Sequence, residues 1–223
     1  MGLIARVGAR IPHSGLQDIL HAPYASDGED IILPLANMTP TTPGGSSISY
    51  ATPGSVLISK SANDETPVLT YSAAKLGSTV YPGERIVIQA DVSAESVVTG
   101  SLGDVSSFLF YGQSTYTAAF GFRWSGSAVR LYGVFATHSS GAHSVDLGQT
   151  INVGDTNRYV LSVETNGDAN VYLNGTLLHT EPNLQRNGGE YIKALLASTA
   201  GGITGRVNSV RFFDLVMYLG GNR

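Results

Sequence analysis

Carboxylates, imidazoles and guanidiniums are the groups in this 223-residue chain that could do chemistry, and their spacing allows little of it. Cleaving a glycosidic bond needs two carboxylates roughly 5–9.5 Å apart, one to donate a proton and one to attack or activate water. Asp27-Gly28-Glu29-Asp30 falls in a proline-rich N-terminal stretch, and Glu84 and Asp91 stand apart on one strand-like segment. Neither supplies such a pair. No Gly-x-Ser-x-Gly elbow occurs, and Gly83-Glu84 and Gly201-Gly202 do not build a phosphate loop. His138, His143 and Asp146 fall in HSSGAHSVD, a loop by composition, and could share a cation. Asn63-Asp64-Glu65 or Asp27-Gly28-Glu29-Asp30 could give oxygens to a structural Ca²⁺, although neither follows an EF-hand pattern. The chain has no cysteine, which removes thiolate chemistry and disulfides. The expectation is no catalytic residue, no metal and no cofactor.

A binding surface is better supported. Tyr116–Trp124 and Ala128–Phe135 alternate bulky apolar and other residues around Gly126-Ser127, which fits a two-residue type II′ loop. That register pairs Arg123 with Arg130 and Trp124 with Val129. Phe120, Phe122 and Trp124 then share a core face with Val129, Leu131 and Phe135. The outer face carries Thr117, Ala119, Gly121 and Arg123 beside Arg130, Tyr132 and Val134. Small residues leave a shallow floor there, with Tyr132 and two arginines at its side. Like charges directly opposite cost roughly 0.2–1 kcal/mol. An internal carboxylate such as Glu164, an acidic ligand or a neighbouring subunit would relieve that repulsion. Arg123, Arg130, Tyr132 and Thr117 are therefore the candidate ligand or partner surface.

These residues must be held by strands. Arg158 to Thr180, RYVLSVETNGDANVYLNGTLLHT, reads as three antiparallel strands. Tyr159, Leu161 and Val163 alternate with Val160 and Ser162, the period of a half-buried strand. Thr165-Asn166-Gly167 fits a three-residue hairpin loop with glycine in the left-handed region, and Asn174-Gly175 fits a type I′ turn. The registers place Leu161 opposite Val171, Tyr159 opposite Leu173, and Val171 opposite Leu178. Further strands are expected at Ser55–Ser59, Val68–Tyr71, Glu84–Val92 and Phe108–Tyr111, the last apolar enough to be covered on both faces. Ala194–Ala197 fits a strand or a short helical turn.

The stretch YVLSVETNGDANVYLNGTLLHT resembles the central hairpins of concanavalin A-like sandwiches, especially the laminin G-like kind, and RVNSVRFFDLVMY is similar to their last strand. The resemblance implies an all-β, antiparallel, two-sheet jelly-roll sandwich over roughly residues 50–219. That fold hosts lectins, glycosidases and structural modules alike. Glucanases of this fold carry a Glu-x-Asp-x-x-Glu strand, which is absent here.

Composition and the N-terminus complete the expectation. Charged residues are 13% of the chain, about half the usual ~25%, and the net charge is −4. This leaves no basic footprint for nucleic acid, and no apolar run is long enough for membrane insertion. A weakly charged surface suits contact with other subunits. Residues 1–46 read as an extended docking arm and linker before a sandwich at 47–223. Pro12, Pro23, Pro34, Pro40 and Pro43 break any long helix, while Leu3, Ile4, Leu16, Ile19, Leu20, Ile31, Ile32 and Leu33 need a surface to cover them. No signal-peptide pattern is present. The expectation is a non-catalytic structural or adhesion subunit of a phage particle, made in the host cytoplasm, homo-oligomeric and contacting other virion subunits and host surface carbohydrate. A stand-alone lectin is the alternative, and an enzyme a third.

Overall fold

A computed structural model describes residues 29–32, 35, 38–52, 55–60, 66–72, 85–100, 103–112, 117–137, 141–184, 191–198 and 205–220. Its strands, in chain order, begin with β1 (Glu29–Ile32), β2 (Thr39–Thr41), β3 (Ser47–Thr52), β4 (Ser55–Ser59) and β5 (Val68–Ser72). The middle of the chain adds β6 (Arg85–Val98), β7 (Ser106–Gly112), β8 (Thr117–Trp124), β9 (Val129–Thr137) and β10 (Gly141–Ile151). The last are β11 (Thr156–Val163), β12 (Ala169–Leu173), β13 (Thr176–Glu181), β14 (Tyr191–Ser198) and β15 (Arg206–Gly220). They form two antiparallel sheets: β13-β12-β11-β6-β15-β4-β3 with β1 also on β15, and β10-β9-β8-β7-β14-β5-β2. The fold is the expected all-β sandwich. No helix among the described residues is long and apolar enough to cross a membrane.

The sequence patterns explain the pairing. Tyr159 faces Leu173 and Leu161 faces Val171, with Gly167 at φ 87°. Asn174 and Gly175 both have positive φ, 49° and 87°, as a type I′ turn demands. Val171, however, pairs with His179, not Leu178. A β-bulge between Val171 and Tyr172 leaves Leu178 outside the paired ladder, where it packs against the core.

Inward-facing rings fill the space between the sheets. Phe108 and Phe122 stack with centroids 4.2 Å apart. Tyr159 of the opposite sheet meets Phe108 edge-on at 4.9 Å and Phe120 at 5.2 Å. Trp124 lies at the margin of this core and its Nε1–H donates to the Gly100 carbonyl at 3.2 Å.

Burial pushes the Tyr159 hydroxyl above the ordinary tyrosine range, offset only in part by the Asn157 side chain. The Asn157 side chain is near enough to temper that shift, yet no hydrogen bond of proper geometry reaches the buried oxygen. A buried hydroxyl without a partner gains nothing for the fold. Tyr159→Phe should therefore leave the urea midpoint unchanged or raise stability by up to about 1 kcal/mol. A loss of that size would reveal a hydrogen bond that this geometry lacks.

The sandwich reaches further upstream than Ser47. Ile31 and Ile32 lie in β1, opposite Met217 and Val216 of β15. Thr39–Thr41 pairs with β5, and Leu35 and Met38, 6% and 2% exposed, belong to the core. Part of the stretch read as arm and linker is thus built into both sheets, because β15 and β5 have edges that it completes. Leu3, Ile4, Leu16, Ile19, Leu20 and Leu33 lie outside the described residues.

Candidate functional site

β8 and β9 build the outer face of the seven-stranded sheet. Arg123 pairs with Arg130, Trp124 with Val129 and Gly121 with Tyr132, the register that the Gly126-Ser127 loop implies. Gly126 has φ 94°, as the first loop position of a type II′ turn requires. On β9 the inward Val129, Leu131 and Phe135 are buried, while Arg130, Tyr132 and Val134 between them remain partly exposed.

Three of the four candidate residues come together. The Arg123 guanidinium lies over the Tyr132 ring, 5.6 Å from its centroid, and its Nε–H donates to the Gly103 carbonyl at 2.9 Å. Arg130 is neutralised within the chain by Asp146 of β10, at 3.2 Å, and its Nη1 also donates to Thr150 Oγ1 at 3.1 Å. The internal carboxylate is therefore Asp146. Glu164 is engaged elsewhere, 3.0 Å from Arg85 on the other sheet. Thr117 stands apart, opposite Ala136 and roughly 20 Å along β8 from Arg123.

The shallow floor expected between these residues is filled. Ala119 is 0% exposed. A Cβ on Gly121 would come 2.3 Å from Val105 Cγ1 and 3.3 Å from Val134 Cγ2, so only glycine fits beneath those side chains. The face offers projecting side chains, not a pit.

Two further residues belong to this face. Phe110 pairs with Ala119 on one side and Lys193 on the other. The Lys193 ammonium sits over the Phe110 ring, 5.1 Å from its centroid. Phe110 is half-buried, whereas Phe108, Leu109 and Tyr111 are buried. The near-continuous apolar run around Phe110 hides its outward direction, and a register shift between Ser107 and Leu109 sets it. Two cation-capped aromatic rings, Tyr132 and Phe110, thus lie two strands apart on one face, roughly 12 Å from each other by strand geometry.

The histidine-rich segment is not a loop. Gly141–Ile151 is the edge strand β10, and alternation sends His143 and Asp146 to opposite faces. Asp146 accepts from Arg130 and from the Gly148 amide at 2.8 Å, so it cannot share a cation with His143. His138 lies outside the described residues. His143 instead turns toward the other sheet. Its Nε2 is 3.3 Å from Glu181 Oε2, and His179 Nε2 approaches the same oxygen at 3.2 Å. This links the exposed edges of the two sheets beside Phe135. Among the described residues no group of three or more His, Asp or Glu side chains is arranged to hold a metal ion.

No protein-family model matches this chain, and no curated protein matches it. Solved structures do. An endo-1,3-β-glucanase from Streptomyces sioyaensis aligns at TM-score 0.60 and 11% identity, over 88% of this chain and 98% of that one. An alginate lyase of polysaccharide lyase family 7 aligns at TM-score 0.51 and 12% identity, over 87% and 94%. A botulinum neurotoxin type C chain, whose cell entry depends on interaction with two ganglioside molecules, aligns at 0.52 and 12% identity; this chain covers 43% of it. Likeness at such identities shows the fold alone. The architecture is a jelly-roll β-sandwich, in keeping with the concanavalin A-like resemblance.

Proposed function

We propose that this chain is a non-catalytic adhesion subunit that binds carbohydrate on the outer face of its seven-stranded sheet. The observation carrying this reading is the pair of half-buried rings, Tyr132 and Phe110, each held under a cation on that face. Aromatic faces present apolar area at low entropic cost, and adjacent cations and amides give orientation. The sandwich architecture, shared with a glucanase, an alginate lyase and a toxin tied to gangliosides, agrees with such a ligand. A non-catalytic role is supported by the carboxylates. The seven strands carry one, Asp146, and Arg130 holds it. A two-carboxylate hydrolysis has no second partner on this sheet.

The biological setting belongs to the same proposal. The chain works as part of a phage particle, with Leu3, Ile4, Leu16, Ile19 and Leu20 covered by other virion subunits or by further copies of itself. The low charge content, 13%, supports extensive contact between subunits.

The test is retention on immobilised polysaccharides followed by product analysis. The intact chain should be retained, with no new reducing ends or unsaturated sugars released. Phe110→Ala and Tyr132→Ala, folded by circular dichroism, should each weaken retention by roughly two- to tenfold or more, since stacked rings contribute roughly 0.5–1.5 kcal/mol beyond their buried area. Turnover abolished by replacing a single Asp or Glu would overturn the non-catalytic reading. Unchanged retention in both ring variants would overturn the site.

A further inference from the structure

The arginines of this protein divide unequally. Arg85, Arg130, Arg158, Arg206 and Arg211 each reach a carboxylate, at 2.8–3.2 Å. Arg123, alone among the described arginines, does not. Its partners are the Gly103 carbonyl and the Tyr132 ring, and both are neutral. In a chain this poor in charge, every other described guanidinium is matched to an acid.

The contacts that Arg123 does make orient it. Nε–H is used on Gly103 O, and the central guanidinium carbon lies over Tyr132, which leaves the Nη1 and Nη2 groups as an unused fork. A guanidinium fork fits two oxygens of a carboxylate or sulfate better than a single hydroxyl. The carbonyl that aims it is itself fixed. A Cβ on Gly103 would fall 1.9 Å from the Gly205 carbonyl oxygen, so the two backbones are in direct contact. Arg130 directly across the ladder adds positive potential, although Asp146 offsets it. An anion receptor held before its ligand arrives loses less entropy on binding.

We propose that the ligand of this face is an anionic glycan, bearing carboxylate or sulfate groups, and that Arg123 recognises the acidic group while Tyr132 supports the adjoining sugar. This rests on the carbohydrate-binding reading above and specifies its chemical class.

The experiment uses the full chain on an immobilised panel of uronate-containing, sialylated and sulfated glycans, each beside its carboxyl-reduced, desialylated or desulfated counterpart. At least one acidic member should bind roughly tenfold or more tighter than its neutral counterpart, the range expected for hydrogen bonds to a charged group. Arg123→Gln should erase that difference, and Arg123→Lys should restore only part of it because it lacks the fork. Melting curves confirm that both variants fold. Equal binding of acidic and neutral partners, or a preference that survives Arg123→Gln, overturns the anionic assignment and leaves carbohydrate binding standing. Binding to no member of the panel overturns both.

Discussion

A chain that begins at Ser47 should fail to fold stably. The deletion removes β1 from β15 and β2 from β5, and takes Leu35 and Met38 out of the core. Losing a buried Leu or Met side chain costs roughly 2–5 kcal/mol. Two such losses, with two strand pairings gone, amount to about 5–10 kcal/mol, comparable to the whole stability of an ordinary domain. The uncovered edges of β15 and β5 would also invite aggregation. A chain that begins at Glu29 keeps all of these contacts and should melt within a few degrees of the full protein. Circular dichroism melts of the three lengths decide the matter. Normal melting from Ser47 would mean that β1, Leu35, Met38 and β2 add little to the fold. A collapse from Glu29 would mean that residues 1–28 pack on their own sandwich, and docking through them would lose its support.

The second large effect lies in the ring cluster. Phe108→Ala removes the ring that stacks on Phe122 and meets Tyr159 edge-on across the sheets, and should cost about 3–5 kcal/mol in denaturant unfolding. Leu161→Ala, at a site 0% exposed, should cost about 3 kcal/mol. Val160 is instructive. Alternation alone places it on the outer face and makes it tolerant, yet it is 1% exposed, between Gln89 and Tyr172 on the neighbouring strands. Val160→Ala should therefore cost about 1.5–2.5 kcal/mol, less than Leu161→Ala because fewer carbons leave the interior. A ranking with Val160 most sensitive, or Phe108 below 1 kcal/mol, would contradict the packing described.

How much could be read from residues depended on whether the determinant was local. The β11–β12 hairpin and the Gly126-Ser127 loop are set by glycines at positive φ and by strict alternation, so register follows from sequence. The bulge between Val171 and Tyr172 is not local, since it answers to how Leu178 packs on the core. His138–Asp146 reads as a loop because glycine, serine and histidine are poor strand formers, whereas its part from Gly141 onward belongs to β10. Its pairing with β9 and the Arg130–Asp146 contact make it a strand. β1 and β2 are short, β2 contains Pro40, and β1 pairs with the far end of the chain. At the site, opposition of Arg123 and Arg130 was legible from the turn. The unequal fate of the two charges was not, because Asp146 had no evident strand to arrive on. Phe110 was hidden in an apolar run whose inward and outward residues only the ladder separates.

The measurement closest to the central claim is backbone hydrogen exchange of the intact protein with and without a glycan that it retains. Protection should rise in β7, β8, β9 and β14, around Phe110, Arg123, Tyr132 and Lys193, while the outer face of the eight-stranded sheet, where Arg85, Arg158 and Arg211 are already paired with acids, stays unchanged. Protection confined to the eight-stranded sheet, or to the His143–Glu181–His179 edge, would place the ligand elsewhere and contradict the account.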